Sequence, residues 1–502
     1  MTKNSNIKAG VFMSYFVIVF NIMAGLLYTP WMIEKIGKAD YGLYVLVTSF
    51  LAYFTVDYGL WQAINKLVAE QHVKGDERKQ NEIVSVASTL YIAIDLCIGV
   101  VLFIVYSHLD VLFGNLTSAE LELFKQLYII AAIFALLSFP FLFLKGIYMA
   151  KELFMSTKLF DLLKKVGVIL ITIVLLYFDF GVIALVVAFG LTPILIHLVE
   201  AAYIYKKGVR VHLGYFDKGI AKSITTLSVW LFIIVLGELF ITNISPTILA
   251  SVANTEQIAV FAIGVSLYSY VYSFAGAING FFLPKIYRLK LTDSSDEINR
   301  MSILVSNIQI IIVGLFITGI VCLGQDFIQL WVGTDFKNSY FVVCLLLLPC
   351  IVTFCQPIES TELFAANKLK YRSIMMICTA ISSVLLSLLF CPIYGAVGAA
   401  LSIAISNSIF MALGMNICYA LVLKRKVRPF ILLLTRFLFV FTVCLIIFKF
   451  LMPYFGEISW QRLVISGLIF LFVYTSLSFM FSTRILKEKY IYPICSRIFS
   501  KK

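Results

Sequence analysis

About fourteen stretches of some twenty predominantly apolar residues run through this 502-residue chain, and each is long enough to cross roughly 30 Å of hydrocarbon as a helix. They lie near residues 10–28, 41–62, 83–107, 124–144, 159–178, 182–205, 224–250, 257–280, 301–323, 338–358, 373–391, 396–420, 429–451 and 461–482. A chain that is 61% hydrophobic, only 13% charged and of mean hydropathy +0.98 carries more apolar surface than a soluble core of its length could hide. Backbone groups in lipid must be satisfied within their own segment, and no ten-residue polar/apolar alternation suggests a barrel. The expected fold class is therefore all-α, a polytopic membrane protein with about fourteen transmembrane helices.

The chain also repeats itself at a shift of about 216 residues, as transporters built from internal repeats do. Thr29-Pro30 returns as Ser245-Pro246, and Tyr41-Gly42-Leu43-Tyr44 as Ile258-Ala259-Val260-Phe261. Tyr148-Met149-Ala150-Lys151-Glu152-Leu153 falls on Phe364-Ala365-Ala366-Asn367-Lys368-Leu369, and Gly181-Val182-Ile183-Ala184 on Gly395-Ala396-Val397-Gly398. The matches predict two six-helix lobes, 1–215 and 216–427, followed by two helices and a cytoplasmic tail in 428–502.

Lysine and arginine give the orientation. Taking every second connection together with both tails collects about 33 of the 40 basic residues on one side, which is the cytoplasmic side by the positive-inside rule. The net charge of +13 is then mainly a topology signal, with both termini cytoplasmic, and its spread over loops between spans argues against a nucleic-acid partner. Lys3 and Lys8 precede the first apolar run, but no small-residue cleavage site follows it, so an uncleaved first helix is expected.

Little suggests bond-making chemistry. Nine of the ten cysteines follow residue 320, none forms a C-x-x-C pair and none neighbours a histidine, so neither disulfides nor a metal site is indicated. The longest outer loops, His108 to Glu122 and Gln325 to Asn338, leave no room for an extracytoplasmic catalytic domain, and there is no phosphate-binding G-x-x-x-x-G-K-[ST] loop. No histidine and carboxylate pair offers acid–base catalysis. Translocation without a cofactor is the expected activity.

Charges inside apolar spans mark a candidate pathway, since each costs about 2.5–3.5 kcal/mol at the centre of a bilayer helix. Asp57 stacks with Trp61 and Asn65 at spacings of four, and Asp95 shares a face with Tyr91 and Ser88. Glu238 sits in an otherwise uncharged run, with Asn243 and Pro246 after it. These four residues, Asp57, Asp95, Glu238 and Asn243, are candidates to line a cavity or bind a coupling proton or sodium ion; local pairing is the alternative for each. His197 beside Glu200, and Arg436 near the inner edge, fit local pairing or snorkelling. Lys66, Lys145, Lys285 and Arg288, at the inner ends of spans, are candidates to hold a phosphate arriving from the cytoplasm, although positive-inside residues need no further role.

Ser14-Tyr15, Asn21, Pro30, Ile36-Gly37, Tyr41-Gly42-Leu43-Tyr44, Asp57-Tyr58-Gly59-Leu60 and Lys66 resemble the N-terminal signature of bacterial O-antigen-type polysaccharide-unit flippases. That family belongs to the multidrug/oligosaccharidyl-lipid/polysaccharide exporter superfamily. The resemblance extends along the chain in span number, in two lobes with two extra helices, and in Ala150-Lys151-Glu152. It implies an inner-membrane protein that moves an undecaprenyl-pyrophosphate-linked oligosaccharide between leaflets by alternating access, often coupled to protons or sodium. A polysaccharide polymerase and a chain-length regulator would be its functional partners, with membrane lipids around it. The acidic residues in the spans depart from a strongly cationic cavity. Other readings are a peptidoglycan-precursor flippase, a multidrug exporter of the same superfamily, for which the last two spans are too many, and a membrane polysaccharide polymerase.

Overall fold

The computed structural model describes residues 3–57, 59–212, 214–276, 286, 289, 295–366 and 368–481, and of residues 3–15 and 295 the backbone alone. Among the described residues there is no strand; the chain is a succession of helices. The first part comprises α1 (Lys3–Ile36), α2 (Lys38–Thr55), α3 (Leu60–Lys74), α4 (Glu77–Tyr106), α5 (Leu109–Leu112), α6 (Ser118–Ser138), α7 (Leu144–Ala150), α8 (Phe154–Tyr177), α9 (Gly181–Lys206), α10 (Lys218–Val252) and α11 (Thr255–Gly276). The second comprises α12 (Ser295–Val332), α13 (Ser339–Leu347), α14 (Cys350–Phe354), α15 (Pro357–Ala365), α16 (Leu369–Ser406), α17 (Met415–Val422), α18 (Arg428–Leu451) and α19 (Trp460–Phe481).

Eleven helical stretches among the described residues are long and apolar enough to cross a membrane. One of them, Leu369–Val422, takes in two predicted spans. The predicted spans at 159–178 and 338–358 fall instead on α8, whose first half carries Lys158, Asp161, Lys164 and Lys165, and on the interrupted run α13 to α15. The chain is thus the multi-pass helical membrane protein that its hydropathy predicts.

Local start signals explain several boundaries. Asp76 accepts from the Lys79 amide at 2.9 Å and opens α4, and Asp217 accepts from the Ile220 amide at 2.8 Å and opens α10. Thr117 and Glu120 form a reciprocal capping box on α6. Two expectations are corrected. The predicted span 41–62 is not one helix, because α2 stops at Thr55 and α3 starts at Leu60 after Gly59, whose φ of 82° is left-handed. The predicted outer loop from Gln325 is shorter, because α12 continues to Val332 and its Asp326 pairs with Arg462 of α19 at 3.0 Å.

Segments matched by the repeat share local geometry. Pro30 and Pro246 each lie inside a long helix, α1 and α10. The helices α7 and α15 end at Ala150 and Ala365, with closely similar backbone angles at the residue that follows, Lys151 or Ala366. Gly181 opens α9 with φ 56°, and Gly395 kinks α16 with φ 54°, a conformation that side chains with a Cβ resist.

Packing separates two units: Met1–Ala259 with Val384–Gly395, and Val260–Ser383 with Ala396–Lys502. In the first, α8 packs on α1 and α9, α2 on α6, α3 on α7, and α10 on α2 and α3. Beneath them Lys164, Glu200 and His197 form a local ion cluster, with Glu200 3.0 Å from Lys164 and 2.8 Å from His197. In the second, α12 packs on α15, α18 and α19, and Val440, Cys444, Phe448, Phe470 and Tyr474 knit the last two helices together.

Candidate functional site

The interruption between α2 and α3 is the most chemically loaded place in the first unit. Discontinuous helices at membrane depth are tolerated where the freed backbone groups are satisfied within protein, and transporters use them to build binding sites. Here Asp57 supplies the satisfaction: its Oδ1 accepts from the Trp61 amide at 3.0 Å, capping α3, while its Oδ2 accepts from the Tyr91 hydroxyl of α4. The Lys145 ammonium at the start of α7 lies 4.7 Å from the centre of the Trp61 ring, within electrostatic reach of Asp57. Tyr91 is buried and its ring meets Phe139 and Phe143 at 5.5 and 6.0 Å, so the hydroxyl that holds Asp57 is itself fixed by packing.

Lys145 belongs to a second interrupted helix, since α6 gives way to a 3-10 turn at Phe139–Phe141 before α7 begins. The α2 helix has 18 residues, about 27 Å at 1.5 Å per residue, before the break. Asp57 is therefore a helix-capping residue at a break, and not a residue on a continuous helical face as its spacing to Trp61 and Asn65 predicts. A fixed carboxylate, an indole face and an exposed ammonium form one polar site.

The remaining candidates are placed as follows. Lys66 is exposed on α3, two turns beyond the break. Asp95 lies one turn along α4 from Tyr91, half-buried, and its Oδ1 is buried without a hydrogen-bond partner. On α10, Glu238 is half-buried; the Thr242 hydroxyl donates to the Glu238 carbonyl at 2.9 Å, and Asn243 donates to that hydroxyl at 3.0 Å. Lys285 and Arg288 lie outside the described residues. Of the eight candidates, the structure thus brings Asp57 and Lys145 together and sets Glu238 and Asn243 within about one turn of each other.

Tyr91 joins Asp57, and Lys145 joins Trp61, through contacts between helices that sequence spacing does not report. A second polar cluster was likewise silent in the sequence: Arg425 donates to Glu362 at 2.7 Å and to Asn299 at 2.8 Å, and Ser302 donates to Glu359. Its one sequence signal is proline, Pro349 and Pro357, interrupting an apolar run shortly before two carboxylates. Among the described residues no cluster of histidine, cysteine and carboxylate side chains could hold a metal ion.

Comparison with solved structures shows the fold to be shared with transporters. A lipid II flippase MurJ in an inward closed conformation superposes with a TM-score of 0.65 over 95% of this chain and 99% of its own, at 15% identity. An inward-facing multidrug resistance MATE family transporter of the MOP superfamily gives 0.58 over 80% and 96%, at 14% identity. A Vibrio cholerae MATE transporter, VcmN, gives 0.57 over 85% and 100%, at 13% identity. No curated protein sequence matches the chain. The family model described as "Polysaccharide biosynthesis protein" matches residues 7–288, more than half of the sequence and including the interrupted helices around Asp57 and Lys145; the chain belongs to that family.

Proposed function

We propose that this protein is a flippase that carries an undecaprenyl-pyrophosphate-linked oligosaccharide unit from the cytoplasmic to the outer leaflet of the inner membrane, by alternating access, for O-antigen or another surface polysaccharide. The observation that carries the reading is the site at the α2–α3 break, in a chain of the polysaccharide biosynthesis family. Lys145 and Lys66 offer exposed ammonium groups for a pyrophosphate, and Trp61 offers an aromatic face beside them. The polar lining would pass the sugars while the polyprenyl tail stays in lipid. Lys285 and Arg288 belong to the same proposal as further phosphate ligands, and Asp95, Glu238 and Asn243 as cavity residues through which proton or sodium coupling would act. A polysaccharide polymerase and a chain-length regulator would act on the product.

A second reading, a flippase for a peptidoglycan precursor, draws support from the MurJ superposition, which takes in 95% of this chain where the MATE transporters above take in 80% and 85%. The experiment is to measure surface polysaccharide, and lipid-linked units on each leaflet, in cells with and without the protein. Loss of surface polymer with oligosaccharide units held on the inner leaflet is the expected result. Peptidoglycan precursor held there instead selects the second reading, and units that reach the outer leaflet unpolymerised reject both in favour of a polymerase.

A further inference from the structure

Lys145, the exposed ammonium of the proposed cargo site, stands on a helix too short to fix its own position. With seven residues, α7 makes about two turns, and it is joined to α6 through the 3-10 turn Phe139–Phe141 rather than continuing it. Its place is therefore set by what packs on it. One side meets α3: Gly146 lies so close that a Cβ there would come within 2.7 Å of the Trp61 carbonyl oxygen, and the neighbouring Lys145 lies over the Trp61 ring. Another side meets α9: the Tyr148 hydroxyl donates to the Glu200 carbonyl at 2.9 Å, and the Tyr148 ring lies nearly parallel to that of Tyr203, 6.1 Å away. Lys145 is exposed, whereas Leu144, Gly146, Ile147 and Tyr148 around it are buried.

The turn before α7 is held from α9 as well. The His197 ring stacks on Phe141, four residues before Lys145, with the ring planes 7° apart and the centroids at 6.1 Å. His197 is itself fixed. Its Nδ1 lies 2.8 Å from Glu200 Oε2, and because a carboxylate only accepts, Nδ1 carries the proton and that bond sets the angle of the ring. Lys164 of α8 engages the other Glu200 oxygen at 3.0 Å, so both oxygens are occupied. His197 and Glu200 are 6% and 8% exposed, and burying such a cluster carries a desolvation cost that apolar side chains of the same volume would avoid. What the charged arrangement adds over apolar packing is direction: a carboxylate clamped from α8 holds an imidazole at one angle against the turn that leads to Lys145.

We infer that His197, held by Glu200 and Lys164, is a positioning residue for Lys145: through Phe141 it fixes the turn before α7 and so keeps the ammonium over Trp61. That this lysine takes part in transport rests on the reading above; its placement does not, and the two are tested apart. Full-length protein carrying fluorinated tryptophan is followed by fluorine NMR in detergent, where the five tryptophans give five signals and Trp61→Phe assigns one of them. Lys145→Ala should move the Trp61 signal, because a charge 4.7 Å from the ring centre is removed. His197→Leu should move it by a similar amount with Lys145 still present, and so should Phe141→Leu, which leaves the ion cluster whole; the other four signals should stay in place. Combined with Lys145→Ala, His197→Leu should add nothing. A Trp61 signal that keeps its wild-type position in His197→Leu and Phe141→Leu, or that Lys145→Ala does not move, overturns the inference. So does loss of all five signals in both His197→Leu and Phe141→Leu, which would make the contact a support of the whole fold. In cells, surface polysaccharide should fall in His197→Leu and, in the double variant, no further than in Lys145→Ala. Normal export by Lys145→Ala, with the Trp61 shifts as expected, rejects the phosphate reading alone and leaves the placement of Lys145 standing.

Discussion

Each unit interrupts a helix to bring charge into an apolar setting, and the two do it in opposite ways. In the first, a left-handed Gly59 ends one helix and Asp57 caps the next, both carboxylate oxygens are satisfied, and the net offering to the outside is the exposed ammonium of Lys145. In the second, Pro349 and Pro357 interrupt the run, the charges are buried, and one carboxylate oxygen is left unpaired. In the first unit the anion is internally satisfied and the cation is exposed, whereas in the second the guanidinium is internally satisfied and one carboxylate keeps a bare oxygen.

The contrast can be broken most forcefully at Arg425. Arg425→Ala leaves Glu362 buried beside Glu359 without its guanidinium, and should cost about 3–5 kcal/mol, read as a lowered unfolding temperature in detergent or as loss of protein from the membrane. Gly59→Ala attacks the first unit's break: the new Cβ would lie 2.8 Å from the Leu231 Cβ in a backbone conformation that L side chains resist. A loss of about 2–4 kcal/mol is expected, and unchanged stability would show that the break does not need glycine.

Lys145→Ala sharpens the comparison by separating stability from transport. Its contact with Trp61 is exposed and should be worth only about 0.5–1 kcal/mol, so the variant should accumulate normally while surface polysaccharide falls steeply. Export at wild-type level would remove Lys145 from the phosphate site. The smallest effect is expected at Lys38→Ala, whose partner Glu256 is 58% exposed at 3.2 Å. That pair should contribute no more than about 0.2–1 kcal/mol, and a larger shift in unfolding temperature would mean that it does more than an exposed ion pair.

Much of this was legible in the linear chain. Predominantly apolar windows mark the helices, because lipid leaves the backbone no other way to satisfy itself. The doubled Pro30/Pro246 and Gly181/Gly395 positions recur in matching local geometry because they are set by dihedral preferences, which are local. The candidate site was half legible. Asp57 and Lys145 stand out as charges in or beside apolar runs, but they are 88 residues apart in sequence, and only packing shows that they share one place.

Local chemistry thus settles which segments are helices, which are too apolar for water and which residues carry unusual charge, since each follows from the solvation and backbone preferences of consecutive residues. Pairing does not. That Tyr91 holds Asp57, that Arg425 is engaged by Glu362, and that Glu359 keeps a bare oxygen are outcomes of how helices pack, and packing depends on side chains far apart in the chain. An aspartate and a glutamate that look alike in sequence become, through their neighbours alone, a structural cap and a buried carboxylate with one bare oxygen.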